Sequence, residues 1–297
     1  KAKGGKVTNR NGYYESLPKS SPLEQTLTLA DIMMTDADVH EVPLTVTAMP
    51  LPAKSGGARL PVVVELPGEK LLEKVTGNTV TANLFVYAFD EQYQIKDFLQ
   101  QRISLDLAKS GAALRGAGLR YVGMLNLPPG KYAVKSLVQV EETGRVGFLR
   151  QDVDVPATNG PAVLPPVFVS DRPGWINVAA PGTGAGAVAA FTAAGKAFVP
   201  ARNASLKKDG AYRVALFVYD TPTDALDIAP MVVSADGSSQ AAPLTLVGRT
   251  PPDAEGAAKV LLDFKPAMLA AGNYKLQLTV KPKDGQPSVV DVPFRIE

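Results

Sequence analysis

The sequence contains no cysteine and only one histidine in 297 residues. The first absence excludes disulfides, iron–sulfur clusters, cysteine nucleophiles and cysteine-ligated zinc. The second leaves His40 as the sole histidine for any Ser-His-Asp triad, and no Gly-x-Ser-x-Gly element accompanies it. A catalytic zinc site would have one histidine where two or three are usual. Long apolar runs are also missing: no stretch approaches the roughly 18 residues that a membrane-spanning helix needs. Nor is there an excess of one charge. Thirty-one basic and 29 acidic residues give a formal net charge of +2, and the basic residues are scattered apart from a thin cluster at Lys1, Lys3 and Lys6. That pattern points away from nucleic acid and anionic membranes as partners.

What is present reads as a folded chain with a substantial core, 45% hydrophobic and 20% charged. Its length predicts two domains. The chain opens on Lys1 rather than methionine, so it reads as a fragment or a processed product, and the lack of a visible signal peptide carries no weight. After an extended tail at 1–21, Ser21, Pro22 and Glu24 form a helix-start signature, and Leu23, Leu27, Ala30 and Met34 recur at helical spacing. A short helix is expected over 22–36. The period then changes to two. "EVPLTVTAMP", "LPVVVEL", "NTVTANLFVYAF", "LRYVGMLNL" and "KYAVKSLVQV" alternate apolar and polar residues, with Gly, Pro and Asn between them. "LAKSGAALRGAG", Leu107 to Gly118, is expected to be a loop at the sheet edge because of its glycines.

Proline and glycine crowd Pro156–Pro166, after which strand-like segments resume. The predicted organisation is therefore a first sandwich over 37–157, a linker over 158–170 and a second sandwich over 171–297. Three matches suggest that one is a copy of the other. "LFVY" occurs at Leu84–Tyr87 and Leu216–Tyr219, Leu-x-x-Gly-x-Tyr occurs at Leu127–Tyr132 and Leu269–Tyr274, and "QDVDVP" is echoed by "VVDVP". The second copy carries about ten residues more between the first two matches, an inexpensive loop change. The fold class expected is all-β: two consecutive antiparallel β-sandwiches, immunoglobulin-like or fibronectin-like, with one short N-terminal helix. In such sandwiches a tyrosine early in a late strand returns its hydroxyl to nearby backbone, the tyrosine corner. Tyr132 and Tyr274 fit that role, with Gly130 and Gly272 supplying unusual backbone angles and Leu127 and Leu269 plugging the core.

Residues with chemical potential are few. Asp36, Asp38, His40 and Glu41 are weak candidates for a metal site, since no named metal loop has their spacing. "GTGAGAVAAF", Gly182 to Phe191, lacks the third glycine, the helix and the βαβ setting of a phosphate loop. Ser205 and Lys208 match Ser-x-x-Lys without its partner motifs. Asp152 and Asp154 read as the solvated side of a strand. Trp175, the only tryptophan, would be a sugar platform if exposed and a core plug if buried. No constellation has both the types and the spacing that catalysis needs, so the chain is expected not to be an enzyme and to require no cofactor.

"KVTNRNGYY", with Arg10, Gly12, Tyr13 and Tyr14, resembles the closing strand of the von Willebrand factor A-related (VWA) domain of acidobacterial proteins. "SPLEQTLTLADIM" is similar to the helical segment after it. "LPPGKYAVKSLVQVEETGRVGFLRQDVDVP" and "FVPARNASLKKDGAYRVALFVYD" resemble the β-rich region downstream. The resemblance covers about half of the chain through short motifs. It implies the part of a multidomain exported bacterial protein that follows a VWA domain, hence an extracytoplasmic location. The Asp-x-Ser-x-Ser metal motif of VWA domains is absent, so that metal function does not carry over. The function expected is a non-catalytic structural, adhesion or protein-interaction module whose partner is a protein or a surface glycan. The alternatives are a carbohydrate-binding accessory module and a hydrolase with a carboxylate site between the domains.

Overall fold

The structure, a computed structural model, describes residues 21–297 apart from 55, 157–159, 171–173, 182–190, 194–195, 202–203, 225 and 284. The tail at 1–20 and most of the Gly182–Phe191 segment therefore lie outside the described residues. The described chain is mostly β, with 22 strands and three helices. The first unit runs α1 (Pro22–Thr35), β1 (Thr45–Ala48), β2 (Leu51–Pro52), β3 (Ala58–Pro67), α2 (Gly68–Leu71), β4 (Thr79–Phe89), β5 (Ile95–Asp106), α3 (Leu107–Gly116), β6 (Gly118–Leu127), β7 (Gly130–Val140) and β8 (Val146–Val155). Its strands form two sheets, β5-β4-β7-β8 and β1-β3-β6, the latter with β2 on β3. Period-two alternation turns Val62 and Val64 of β3, Leu84 and Val86 of β4, Tyr121 of β6 and Val134 and Val138 of β7 into one shared core.

The α1 cap forms as its residues dictate. The Ser21 hydroxyl accepts the Glu24 N–H at 3.2 Å, and the Glu24 carboxylate accepts the Ser21 N–H at 2.6 Å. The helix stops where Asp36 turns left-handed at φ 54°. The expectation of one helix and of a loop at Leu107–Gly118 is corrected by α2 and α3. Asp106 caps α3 by accepting the Ala108 N–H, and Leu114 is buried. The packing glycine lies in the other helix: a Cβ at Gly68 of α2 would stand 1.5 Å from the Leu114 carbonyl oxygen of α3, so the two helices touch backbone to backbone.

The second unit comprises β9 (Ala162–Val163), β10 (Val167–Ser170), β11 (Ile176–Ala179), β12 (Thr192–Ala193), β13 (Lys196–Ala197), β14 (Val199–Ala201), β15 (Ala204–Leu206), β16 (Tyr212–Tyr219), β17 (Leu226–Ser234), β18 (Ser239–Ala241), β19 (Leu244–Arg249), β20 (Ala257–Phe264), β21 (Gly272–Pro282) and β22 (Ser288–Ile296). Its sheets are β14-β10-β16-β20-β19 and β15-β22-β21-β17-β18, with a separate β12-β13 hairpin. The pairings repeat those of the first unit. β10-β16-β20 matches β1-β3-β6, and β18-β17-β21-β22 matches β5-β4-β7-β8. Thus the Gly-x-Tyr strands β7 and β21 correspond, as do β8 and β22. The two "LFVY" segments do not, because β4 corresponds to β17 and β16 to β3.

The units are not separated by a plain linker. Residues expected at 158–170 include β9 and β10, which pair with β16. The chain then returns to the first unit, where β11 runs parallel to β6 from Ile176↔Leu119 to Ala179↔Val122. Between the facing sheets lies an apolar layer. Met49, Leu51, Val63 and Val122 of the first unit meet Val167, Phe217, Tyr219 and Leu261 of the second. The four sheets are therefore stacked in layers, with α1 on the outer face of the first.

Two substitutions should separate joint from corner. Phe217→Ala, at 1% exposure in the joint, is expected to lower unfolding free energy by about 3–5 kcal/mol. Tyr274→Phe removes only the 3.0 Å hydrogen bond to the Ala270 carbonyl and is expected to cost about 1 kcal/mol. Urea unfolding of both variants measures the difference.

Candidate functional site

The outer face of the β5-β4-β7-β8 sheet carries the most unusual combination of groups. Alternation along β4 turns Phe85, Tyr87 and Phe89 outward, beside Leu137 of β7 and Val146 and Phe148 of β8, and α1 covers part of this face with Leu29, Ile32 and Met33. Within that apolar contact sits Lys135, 1% exposed. Its ammonium donates to the Met33 carbonyl at 2.9 Å and lies 2.8 Å from Asp36 Oδ1. It also stands 5.1 Å from the Phe89 ring centre and 5.8 Å from that of Tyr93. Arg150 reaches the other Asp36 oxygen at 2.7 Å. Partial burial opposes the charge on Asp36, but hydrogen bonds and attraction from Lys135 and Arg150 outweigh it and hold the carboxyl below its ordinary value. A cation thus fastens the C-terminal end of α1, where free carbonyls and the helix dipole favour positive charge.

The cover is incomplete. On α1, Leu23, Leu27 and Met34 remain 68%, 60% and 51% exposed, and on β5 Ile95 and Phe98 are 50% and 53% exposed. Between Met34 and Ile95 runs a groove of about 370 Å³ with Tyr87, Phe89, Met33 and Leu137 in its walls and no charged residue lining it. Tyr87 and Phe98 stack across β4 and β5 with ring centres 5.5 Å apart. Around the corner, a second cleft of about 490 Å³ is polar, with Asp90, Glu91, Asp152 and Asp154 facing Lys131, Lys135 and Arg150. Tyr93 overhangs it at φ 58°, an uncommon conformation for an aromatic residue. The turn that carries Tyr93 is held by the Asp90 carboxylate, which accepts the Gln92 and Gln94 N–H groups.

The residues singled out from sequence behave differently. His40 Nε2 lies 2.6 Å from Asp38, both exposed, while Asp36 turns to Lys135 and Arg150. The Glu41 carboxylate accepts the Val146 N–H. These four do not converge, and no group of three or more possible metal ligands occurs among the described residues. Trp175 is half-buried rather than a free platform. It lies against Gly118, with the Arg120 guanidinium 5.1 Å from its ring centre, and so packs on the first unit's β6. Asp152 and Asp154 are exposed on β8 and also line a third cleft, at the joint, where Leu164 and Pro165 are the second unit's contribution and no acid faces them. Tyr132 donates to the Pro128 carbonyl at 2.8 Å and Tyr274 to Ala270, each after a glycine with φ near +150°, Gly130 and Gly272. Leu127 and Leu269 are buried beside them. Tyr212, two residues after Gly210, likewise donates to the Lys207 carbonyl at 3.1 Å, but without a positive φ at its glycine. Lys135 was missed, because a lysine in a strand reads as solvated until a helix is known to cover it.

No protein-family model matches the chain, and no curated protein matches it significantly.

The depressed Asp36 value has a pH consequence. Above the ordinary carboxylate range the folded state keeps Asp36 charged and gains its pairing; as pH falls through the lower folded value, that stabilisation is lost. Docking of α1 is expected to weaken below about pH 4. The methyl resonances of Met33 and Met34 report it. Lys135→Met should loosen α1 at neutral pH and flatten this acid dependence.

Proposed function

We propose that this chain is a non-catalytic structural and protein-interaction module of an exported bacterial multidomain protein, following a VWA-type domain. Each unit is read as a fibronectin type III-like sandwich, supported by the three-against-four strand arrangement and by a tyrosine corner on β7 and β21. The observation that carries the functional reading is the joint. Two such units on a string would be free to reorient; here an apolar layer and the return strand β11 bind them into one body. That construction suits a rigid spacer that holds a neighbouring domain or partner at a set distance. The carboxylates on β8 line their clefts without an opposing acid from the second unit, which counts against a hydrolytic site between the units.

A second reading, as a carbohydrate-binding module, rests on the polar cleft under Tyr93, where an aromatic ring and several carboxylates are within reach of one ligand. Its test is a glycan array with the chain and its Tyr93→Ala variant.

The spacer reading requires the two units to unfold together. Scanning calorimetry is expected to show one transition for the chain, and two for a Phe217→Ala, Leu261→Ala double variant that empties the joint. Two independent transitions in the unaltered chain would remove the basis for a rigid spacer.

A further inference from the structure

The first unit does not supply the strand at one edge of its own sheet. In the second unit β20 is flanked by β19, an antiparallel neighbour that stands between β18 and β20 in the chain. The matching segment of the first unit, between β5 and β6, is instead the helix α3, which packs on α2. The backbone groups along the edge of β6 are therefore left for a strand from outside the unit, and β11 takes them. It does so in parallel, whereas the pairings within the first unit are antiparallel. β11 has no strand partner in its own unit among the described residues, for β10 before it pairs with β14 and β16. One face of β11 packs Ile176 and Val178, both half-buried, on the first core. Just beyond it, the Ala180 N–H donates to the Val122 carbonyl at 2.9 Å. Removing β11 strands no charge. Arg120 donates twice to Glu65 of β3, at 3.0 and 2.8 Å, and would lose only its 3.3 Å bond to Asn177 and the Trp175 ring. Nor would it break a pairing within either unit.

We propose that β11 is an exchangeable donor strand, and that the edge of β6 accepts it from a second copy of this chain as well as from its own. The occupant follows from what fills the edge now. The β11 of a second copy carries the same two aliphatic residues, the same Asn177 and the same Trp175 before it, so it makes the same contacts in trans. Exchange then sacrifices no contact, and concentration governs it. A strand attached to the chain it completes competes at an effective concentration of roughly millimolar order. The exchanged form is therefore expected where chains fold together at high concentration, each copy filling the other's edge in a closed two-fold pair. The inference does not rest on the spacer reading, since the apolar layer joins the two units whichever copy supplies β11.

The test exploits the absence of cysteine. Val122 and Ala179 are partners in the β6–β11 register, within reach of a disulfide. Val122→Cys and Ala179→Cys placed together in one chain, oxidised in dilute solution, should close an intramolecular bond. The two substitutions are then placed in separate copies of the whole chain, each checked for folding by circular dichroism. The copies are mixed at roughly millimolar concentration, unfolded in urea, refolded together and oxidised. A mixed disulfide dimer is expected at a yield at least about tenfold above that of Val122→Cys mixed with Ser239→Cys, a control on the exposed strand β18. Refolding after about a hundredfold dilution should abolish the excess. Trp175, the only tryptophan, gives one indole resonance, which should keep its monomer shift in the dimer because the ring again lies over an Arg120. Adding Ile176→Asp and Val178→Asp to the Ala179→Cys copy should remove the mixed dimer. A yield no greater than the control would overturn the proposal. So would a mixed dimer that survives the two aspartates, or one whose Trp175 indole moves to a solvent-exposed shift. Failure of the intramolecular bond would overturn it as well, by removing the register on which exchange depends. Calorimetry of the unaltered chain is independent of these outcomes, so failure here leaves the spacer reading standing.

Discussion

The apolar layer between the two inner sheets is the constraint on which the rest depends. It makes those sheets two-sided. β16 and β20 are buried along nearly their whole length, and β3 is buried at Val62, Val63 and Val64 in succession. A strand covered on both faces has no place for alternating polar residues and becomes a continuous apolar run. The same reasoning explains the misleading "LFVY" match. In β4 the second face is covered by α1, and in β16 it is covered by the first unit. Two strands in unlike places arrived at the same four residues because both must be apolar on both sides.

Three of the additions to the basic two-sheet plan are each held by a buried cation. Lys135 holds the end of α1 through Met33 and Asp36. Arg145 gathers the carbonyls of Lys70 at 2.8 Å and Glu73 at 3.1 Å, together with that of Glu41, and so ties two connections to the start of β8. Arg120 pairs with Glu65 at 2.8 Å, reaches Asn177 of β11 and lies under Trp175. A buried charge is costly unless paired and hydrogen-bonded. Lys135 and Arg145 find their partners only when the segments they hold are in place, whereas Arg120 already has Glu65 of β3 and adds Asn177 when β11 docks. Such contacts favour one arrangement of the segment over its alternatives. Apolar contact, being non-directional, would specify that arrangement less sharply.

Much of this architecture was legible in local signals, because those signals are local physics. The Ser21–Glu24 box starts α1 whatever surrounds it. Alternation announces the strands, and Gly-x-Tyr marks the corners because a glycine conformation and a hydroxyl-to-backbone bond are satisfied within five residues. The segment of α3 does not read as a helix locally because part of what holds it is a contact some forty residues away, where Gly68 of α2, lacking a side chain, lets its backbone meet the Leu114 carbonyl.

By itself, then, the sequence determined the helix start, the strand-rich class, the tyrosine corners and the absence of cysteine chemistry. Each follows from residue types and short spacings. Only the tertiary structure decided that β11 crosses back to β6 and that Trp175 packs on Arg120. It alone decided that Asp36 pairs with cations rather than with His40, and that half of an outer sheet face stays open beside α1. Those outcomes depend on which faces meet after the chain has folded, and side chains far apart in sequence carry no mark of the neighbour they will find.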